Sequence, residues 1–255
     1  MRSPEAGKTG AGKRYGCLDS LRGAALCSMI LYHALWDLVY IFNVNINWYS
    51  EGPGYVWQQS ICWTFIFLSG FCQPLGSRQI RRGLVVFGAG MLIWLVTALF
   101  MPEQTIRFGV LTLIGSSMVI TALLKRAGLK INTRAGFICS VALFLLTRNV
   151  NTGSLGFESL NIAVLPDRLY RNDFTAWLGF PGEGFSSADY FSLVPWFFLF
   201  SSGYFLCVAM KERGLLRKLP DISLPPLNFM GKHSLGIYMI HQPLIYFILT
   251  LYFAF

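Results

Sequence analysis

The sequence predicts an all-α fold: one bundle of about seven membrane-spanning helices with its N-terminus inside. Three observations predict it. Of the 255 residues, 54% are hydrophobic and only 13% charged, too little charge to cover a water-soluble domain of this length. The apolar residues gather in seven segments that approach the roughly 20 helical residues needed to cross a bilayer. The basic residues between those segments keep to one side.

Residues 1–16 are polar, Gly-rich and basic, with Lys8, Lys13 and Arg14. They read as a flexible cytoplasmic tail ahead of a single transmembrane domain, 17–255. The first apolar segment, 18–42, is too long for the core of a signal peptide, and no small-residue cleavage site follows it. It is expected to remain as an anchor. Further spans are expected at 55–76, 83–101, 108–124, 135–147, 188–210 and 232–253. With the N-terminus inside, 17 of the 21 Lys and Arg residues fall on the inner side, leaving only Arg107, Arg148, Arg168 and Arg171 outside. The net charge of +9 is therefore a topology signal. It excludes nucleic acid as a partner and leaves the lipid bilayer as the expected one, with room for a homo-oligomer.

The six cysteines show no metal-ligand or disulfide-framework spacing and read as small buried hydrophobes. Two outer loops stand out, 43–54 and 148–187. The second is long enough to be functional, and Trp177, Phe180 and Phe185 predict an ordered lid. Residues 63–71 and 196–204 echo each other, each ending in Ser-Gly-aromatic. Such pairs let helices approach closely.

The chemistry-bearing residues concentrate in the first span. Stepping about 100° per residue from Arg22 places Asp19 near ~60°, His33 near ~20° and Asp37 near ~60°. All four share a narrow face that lipid would not tolerate, which marks them as functional candidates. Arg22 and His33 lie about 16 Å apart along that face. Asp37, one turn beyond His33, is placed to accept from its imidazole, fix its tautomer and raise its basicity. The last span carries His241-Gln242-Pro243. Proline removes a backbone donor there, and such a break is tolerated only against protein or a cavity. His241 and Gln242 are thus candidates to line the same path as His33. Asp189 and Trp196, at the outer start of the sixth span, are candidate substrate contacts, Asp189 otherwise serving as a helix cap. Arg78, Arg81 and Arg82 form an inner cluster able to attract phosphates. No Walker, HExxH or GxSxG motif is present, and no metal is expected.

The order Leu18-Asp19-Ser20-Leu21-Arg22-Gly23, then Tyr32-His33 and Asp37, then Arg107-Phe108-Gly109, Ala188-Asp189-Tyr190, and Gly231-Lys232-His233-Ser234 running on to Tyr238 and His241-Gln242-Pro243 resembles the heparan-alpha-glucosaminide N-acetyltransferase catalytic-domain family. The closer likeness is to its compact bacterial-type members, and more broadly to integral-membrane acyltransferases. The resemblance implies a multi-pass protein of the bacterial inner membrane. It would move an acyl group, acetyl above all, from cytoplasmic acetyl-CoA to an extracytoplasmic glycan or amino-sugar acceptor. His33 would be general base or transient acyl carrier, Asp37 its orienting partner, and Arg22 with Arg78, Arg81 and Arg82 the contacts for the donor's phosphates. Asp19, His241, Gln242, Asp189 and Trp196 would line the substrate path. The residues alone leave a second reading open, a transporter or export partner without acyl-transfer chemistry.

Overall fold

The computed structural model describes residues 15–254; most of the expected cytoplasmic tail, 1–14, lies outside the described residues. The chain folds into long helices at all seven expected segments: α1 Gly16–Tyr40, α3 Gly52–Cys72, α4 Gln79–Phe100, α5 Val110–Arg126, α6 Thr133–Leu146, α7 Leu193–Glu212 and α9 Ser234–Ala254. Two short helices join them, α2 Asn47–Ser50 and α8 Pro225–Lys232. Among the described residues α1, α4, α7 and α9 are long and apolar enough to cross a membrane. α5, with 17 residues, and α6, with 14, are shorter.

Helix ends follow local chemistry. Asn132 caps α6, its Oδ1 accepting from the backbone N–H groups of Arg134 at 3.1 Å and Ala135 at 3.2 Å, which satisfies donors that have no partner within the helix. Pro225 and Pro226 open α8, where the missing N–H costs nothing and φ is already set. This short helix, just ahead of the last expected span, was not expected. α7 starts at Leu193, later than the expected 188, because 187–191 is drawn to α5 instead.

α5 is the centre of the bundle. Every residue from Val110 to Met118 is buried, and its Leu113, Ile114 and Met118 join Ile66 of α3, Phe144 of α6, and Trp196 and Phe200 of α7 in the main core. The echoing segments of α3 and α7 pack directly on each other. A Cβ on Gly70 would fall 1.9 Å from the carbonyl oxygen of Phe200, and one on Gly203 would fall 2.1 Å from that of Phe67. Only hydrogen fits at either place, so the Ser-Gly pairs set the helix separation. The cysteines depart from expectation: only Cys207 is buried, Cys17, Cys27, Cys62 and Cys72 are half-buried, and Cys139 is exposed on the flank of α6.

The expected outer loop is ordered. It contains an antiparallel hairpin, β1 Ser154–Phe157 and β2 Leu160–Val164, followed by 3-10 turns at Asp167–Tyr170 and Asp173–Thr175. Phe185 packs against Phe108 and Tyr190, and Phe180 packs edge-on against Tyr170. This small sheet is the one departure from an all-α chain among the described residues. Gly203→Leu is expected to lower stability by about 1–3 kcal/mol or more through overpacking. Gly88→Leu, with nothing within 4 Å of the added Cβ, is expected to leave it unchanged. Thermal unfolding in detergent measures both.

Candidate active site

The Leu18–Gly23 stretch divides its side chains between packing and the interior. Ser20 and Gly23 face α8: the Ser20 hydroxyl donates to Asn228 Oδ1 at 2.7 Å, and a Cβ on Gly23 would fall 2.0 Å from the Leu227 carbonyl oxygen. Gly231 returns the contact, its own Cβ position lying 1.9 Å from the carbonyl oxygen of Asp19. With α8 fixed so closely, Arg22 is left on the inner wall of a cavity. Asp19 stays beside it, 3.6 Å from the guanidinium, off the cavity wall.

The cavity has a volume of about 130 Å³ and mostly apolar walls. Three of the expected site residues line it: Arg22, His33 and Asp189. They come from the start of α1, three turns further along α1, and the segment before α7. Cys62 and Ser69 of α3 and Ser234 and Tyr238 of α9 supply its other polar groups.

His33 is paired with His241. Their ring centroids are 5.1 Å apart. His241 is buried, and its Nδ1 lies 2.6 Å from the Tyr238 carbonyl oxygen. A carbonyl can only accept, so Nδ1 carries the proton and Nε2 presents its lone pair. That Nε2 is buried with no hydrogen-bond partner. The geometry corrects one expectation. Asp37 does not receive a hydrogen bond from His33; its Oδ1 accepts from Gln242 Nε2 at 2.6 Å. Asp37 is 0% exposed, and its Oδ2 and the Gln242 Oε1 have no partner. The physical reason is the crossing of α9. It brings two successive residues, His241 and Gln242, against the i and i+4 positions of α1, and the nearer amide takes the carboxylate.

Asp189 caps a helix, but the helix is α5 rather than its own. Its Oδ2 accepts from the Val110 N–H at 3.5 Å. Backbone bonds from Ala188 to Thr105, 3.1 Å, and from Phe191 to Phe108, 2.8 Å, clasp this segment onto 105–109. Two of the motifs that carried the resemblance thus form one structural unit. Burial pushes the Asp189 carboxyl up from 3.8 to about 6, against a smaller opposing pull from the Val110 N–H.

The remaining expected residues lie off the cavity. Trp196 is 4% exposed within the main core, packed on Phe144 and Phe191. Arg78, Arg81 and Arg82 are exposed at the start of α4, with the Arg82 guanidinium folded over Gly76. Sequence reasoning missed Arg148. Its Nη2 donates at 3.1 Å to both Tyr55 Oη and Gln59 Oε1, it pairs with Glu158 at 3.1 Å, and its guanidinium lies 5.0 Å from the Trp196 ring. It fastens the hairpin to α3 and α7. The signal was its position, one of few basic residues on the expected outer side. Among the described residues no group of His, Cys, Asp or Glu is gathered as metal ligands would be.

Helices of membrane-crossing length around an internal cavity that carries arginine, histidine and aspartate define an integral membrane protein with a built polar interior. Residues 14–243 match the family described as heparan-alpha-glucosaminide N-acetyltransferase, catalytic, and the chain belongs to that family of acetyltransferase-like membrane enzymes. No curated protein and no solved structure gives a significant match.

Two measurements check this geometry. A raised folded pKa means the folded state holds the Asp189 proton more tightly than the unfolded chain does. That stabilisation is complete below 3.8 and is lost as pH rises through about 6. In an unfolding series across this window, Asp189→Asn is expected to lose the corresponding slope. Gln242→Leu is expected to cost about 1–3 kcal/mol by leaving the Asp37 carboxyl buried without its partner. Adding Asp37→Leu is expected to recover part of that cost, which a double-mutant cycle reads as coupling.

Proposed function

We propose that this protein is a transmembrane acyltransferase. It would carry an acetyl group from cytoplasmic acetyl-CoA to an amine or hydroxyl of an extracytoplasmic amino sugar or glycan. The observation that carries this reading is the single cavity walled by Arg22, His33 and Asp189. In this reading all seven long helices cross the membrane, with the N-terminus inside, and the basic loop ends mark the cytoplasmic face. Arg22 then stands at the donor end and Asp189 at the acceptor end, with His33 between them.

The cavity suits only the reacting ends of the substrates. At about 130 Å³ it is well below the roughly 300–1,000 Å³ of sites that enclose a drug-sized ligand. The nucleotide of the donor would stay outside, where Arg82, with Arg78 and Arg81, offers charge to its phosphates. Arg22 would meet the polar part of the pantetheine chain at the cavity entrance. His33 then acts as general base. It takes the proton from the acceptor nitrogen or oxygen as that atom bonds to the thioester carbonyl carbon. The carbon–sulfur bond breaks, and the thiolate leaves with a proton returned from His33. His241 backs the His33 ring, and Asp37 acts through Gln242 on the position of α9. Asp189 holds the acceptor's polar groups at the outer mouth.

The test is transfer of labelled acetyl from acetyl-CoA to glucosamine by purified protein in liposomes. His33→Ala is expected to lower the rate by about 10²- to 10⁴-fold. Arg22→Gln is expected to raise the KM for acetyl-CoA with a smaller change in kcat. Wild-type protein that neither binds CoA nor transfers acetyl, yet carries the sugar across the bilayer, would establish transport instead.

A further inference from the structure

The hairpin after α6 presents the wrong side chains to its surroundings for a loop in water. On β2, Leu160 is 62%, Ile162 63% and Val164 84% exposed. The polar residue between them turns the other way: Asn161 Oδ1 accepts from Asn149 Nδ2 and from Ser154 Oγ, both at 2.9 Å. Every residue of β2 is exposed, Asn161 included, so a row of large apolar side chains stands on open surface, where burial from water would not leave it.

The depth of the hairpin explains the exposed apolar row. α6 has 14 residues, about 21 Å of helix, whereas the hydrocarbon layer is about 30 Å thick. The hairpin is joined end-on to this short helix. Thr147, the residue after α6, bridges to Gly156, and Asn149 donates its backbone N–H to the Gly156 carbonyl at 3.2 Å. The exposed flank of α6, Ile138, Leu143, Leu145 and Leu146, therefore runs on into the exposed face of β2. One edge of β2 is paired with β1 and the other is open, so this strand cannot lie in dry hydrocarbon. It can lie where headgroups and water reach the open edge while its side chains enter the acyl boundary.

We infer that β2 is an interfacial anchor: Leu160, Ile162 and Val164 insert into the outer leaflet and complete the membrane contact that α6 is too short to make. The partner is the lipid surface. Arg148, bonded to Glu158 in the turn between the strands, holds the anchor against α3 and α7, and so couples the leaflet to the outer end of the bundle. The inference rests on α6 being a membrane crossing.

The experiment places a nitroxide-bearing amino acid at Val164, Leu146 or Glu183 in the full chain in lipid nanodiscs, and compares its collisions with oxygen and with a water-soluble nickel chelate. The expected result is a ratio of oxygen to nickel collisions at Val164 severalfold above that at Glu183 and approaching that at Leu146. Equal ratios at Val164 and Glu183, with Leu146 still in lipid, overturn the anchor alone. Low access to both reagents with spin–spin broadening at Val164 overturns it in favour of a second copy paired on the open strand edge. A water-like ratio at Leu146 itself overturns the reading of α6 on which the anchor depends.

Discussion

One constraint shapes the interior: the face of α1 that carries Asp19, Arg22, His33 and Asp37 cannot be left to lipid. Each of these groups is met by protein. Arg22 has Asp19 and the cavity, His33 has His241, and Asp37 has Gln242. α9 supplies the partners of His33 and Asp37, and α8 packs beside them on the start of α1. They come from the far end of the chain, so the polar face is completed only when residues 225–254 dock on α1. The bundle closes on its functional residues, and the closing contacts are themselves polar or glycine-mediated. Inside a membrane, where apolar surfaces have no preference for one another over lipid, this is how helices are specified.

Glycine does the same in the rest of the bundle. Gly23 and Gly231 bring α1 and α8 to backbone contact, and Gly70 and Gly203 do so for α3 and α7. The first crossing aims Arg22 into the cavity. The second brings the core side chains of α7 against α3 and α5, behind the cavity wall. Cavity and packing are therefore not separate features. The small residues of the motifs fix helix separations, and the gap that remains between α1, α3, α5 and α9 is the cavity.

Much of this was legible in the sequence. Seven apolar segments announced seven long helices, and the helical periodicity of α1 put its ionisable residues on one face. The Ser-Gly echo marked two helices able to approach a neighbour closely, and only the fold shows that they approach each other. What was not legible depends on partners distant in sequence. A spacing of four residues made His33 and Asp37 look like a bonded pair, but the crossing of α9 offered Asp37 an amide at 2.6 Å. Trp196 sits in a motif with Asp189, yet the turn of α7 sends it into the core. Asp189 read as a cap for its own helix, and only the fold reveals that it caps α5. Arg148 gave no periodic signal at all, because its four partners come from α3, α7 and the hairpin.

Position separates the roles of the two histidines in the proposed transfer. His33 is on the cavity wall, where a nucleophile can reach it. His241 stands behind it, its tautomer set by the Tyr238 carbonyl and its free lone pair enclosed. A general base must change protonation during turnover, and a histidine held as His241 is held is suited to keeping a single state. In the proposed transfer His241 orients the His33 ring and excludes water from its far side. Asp37 lies one step further out and is bound to the residue that follows His241. In the proposed transfer its influence runs through the placement of α9: it helps fix where His241 stands, and His241 packs against the His33 ring that faces the cavity.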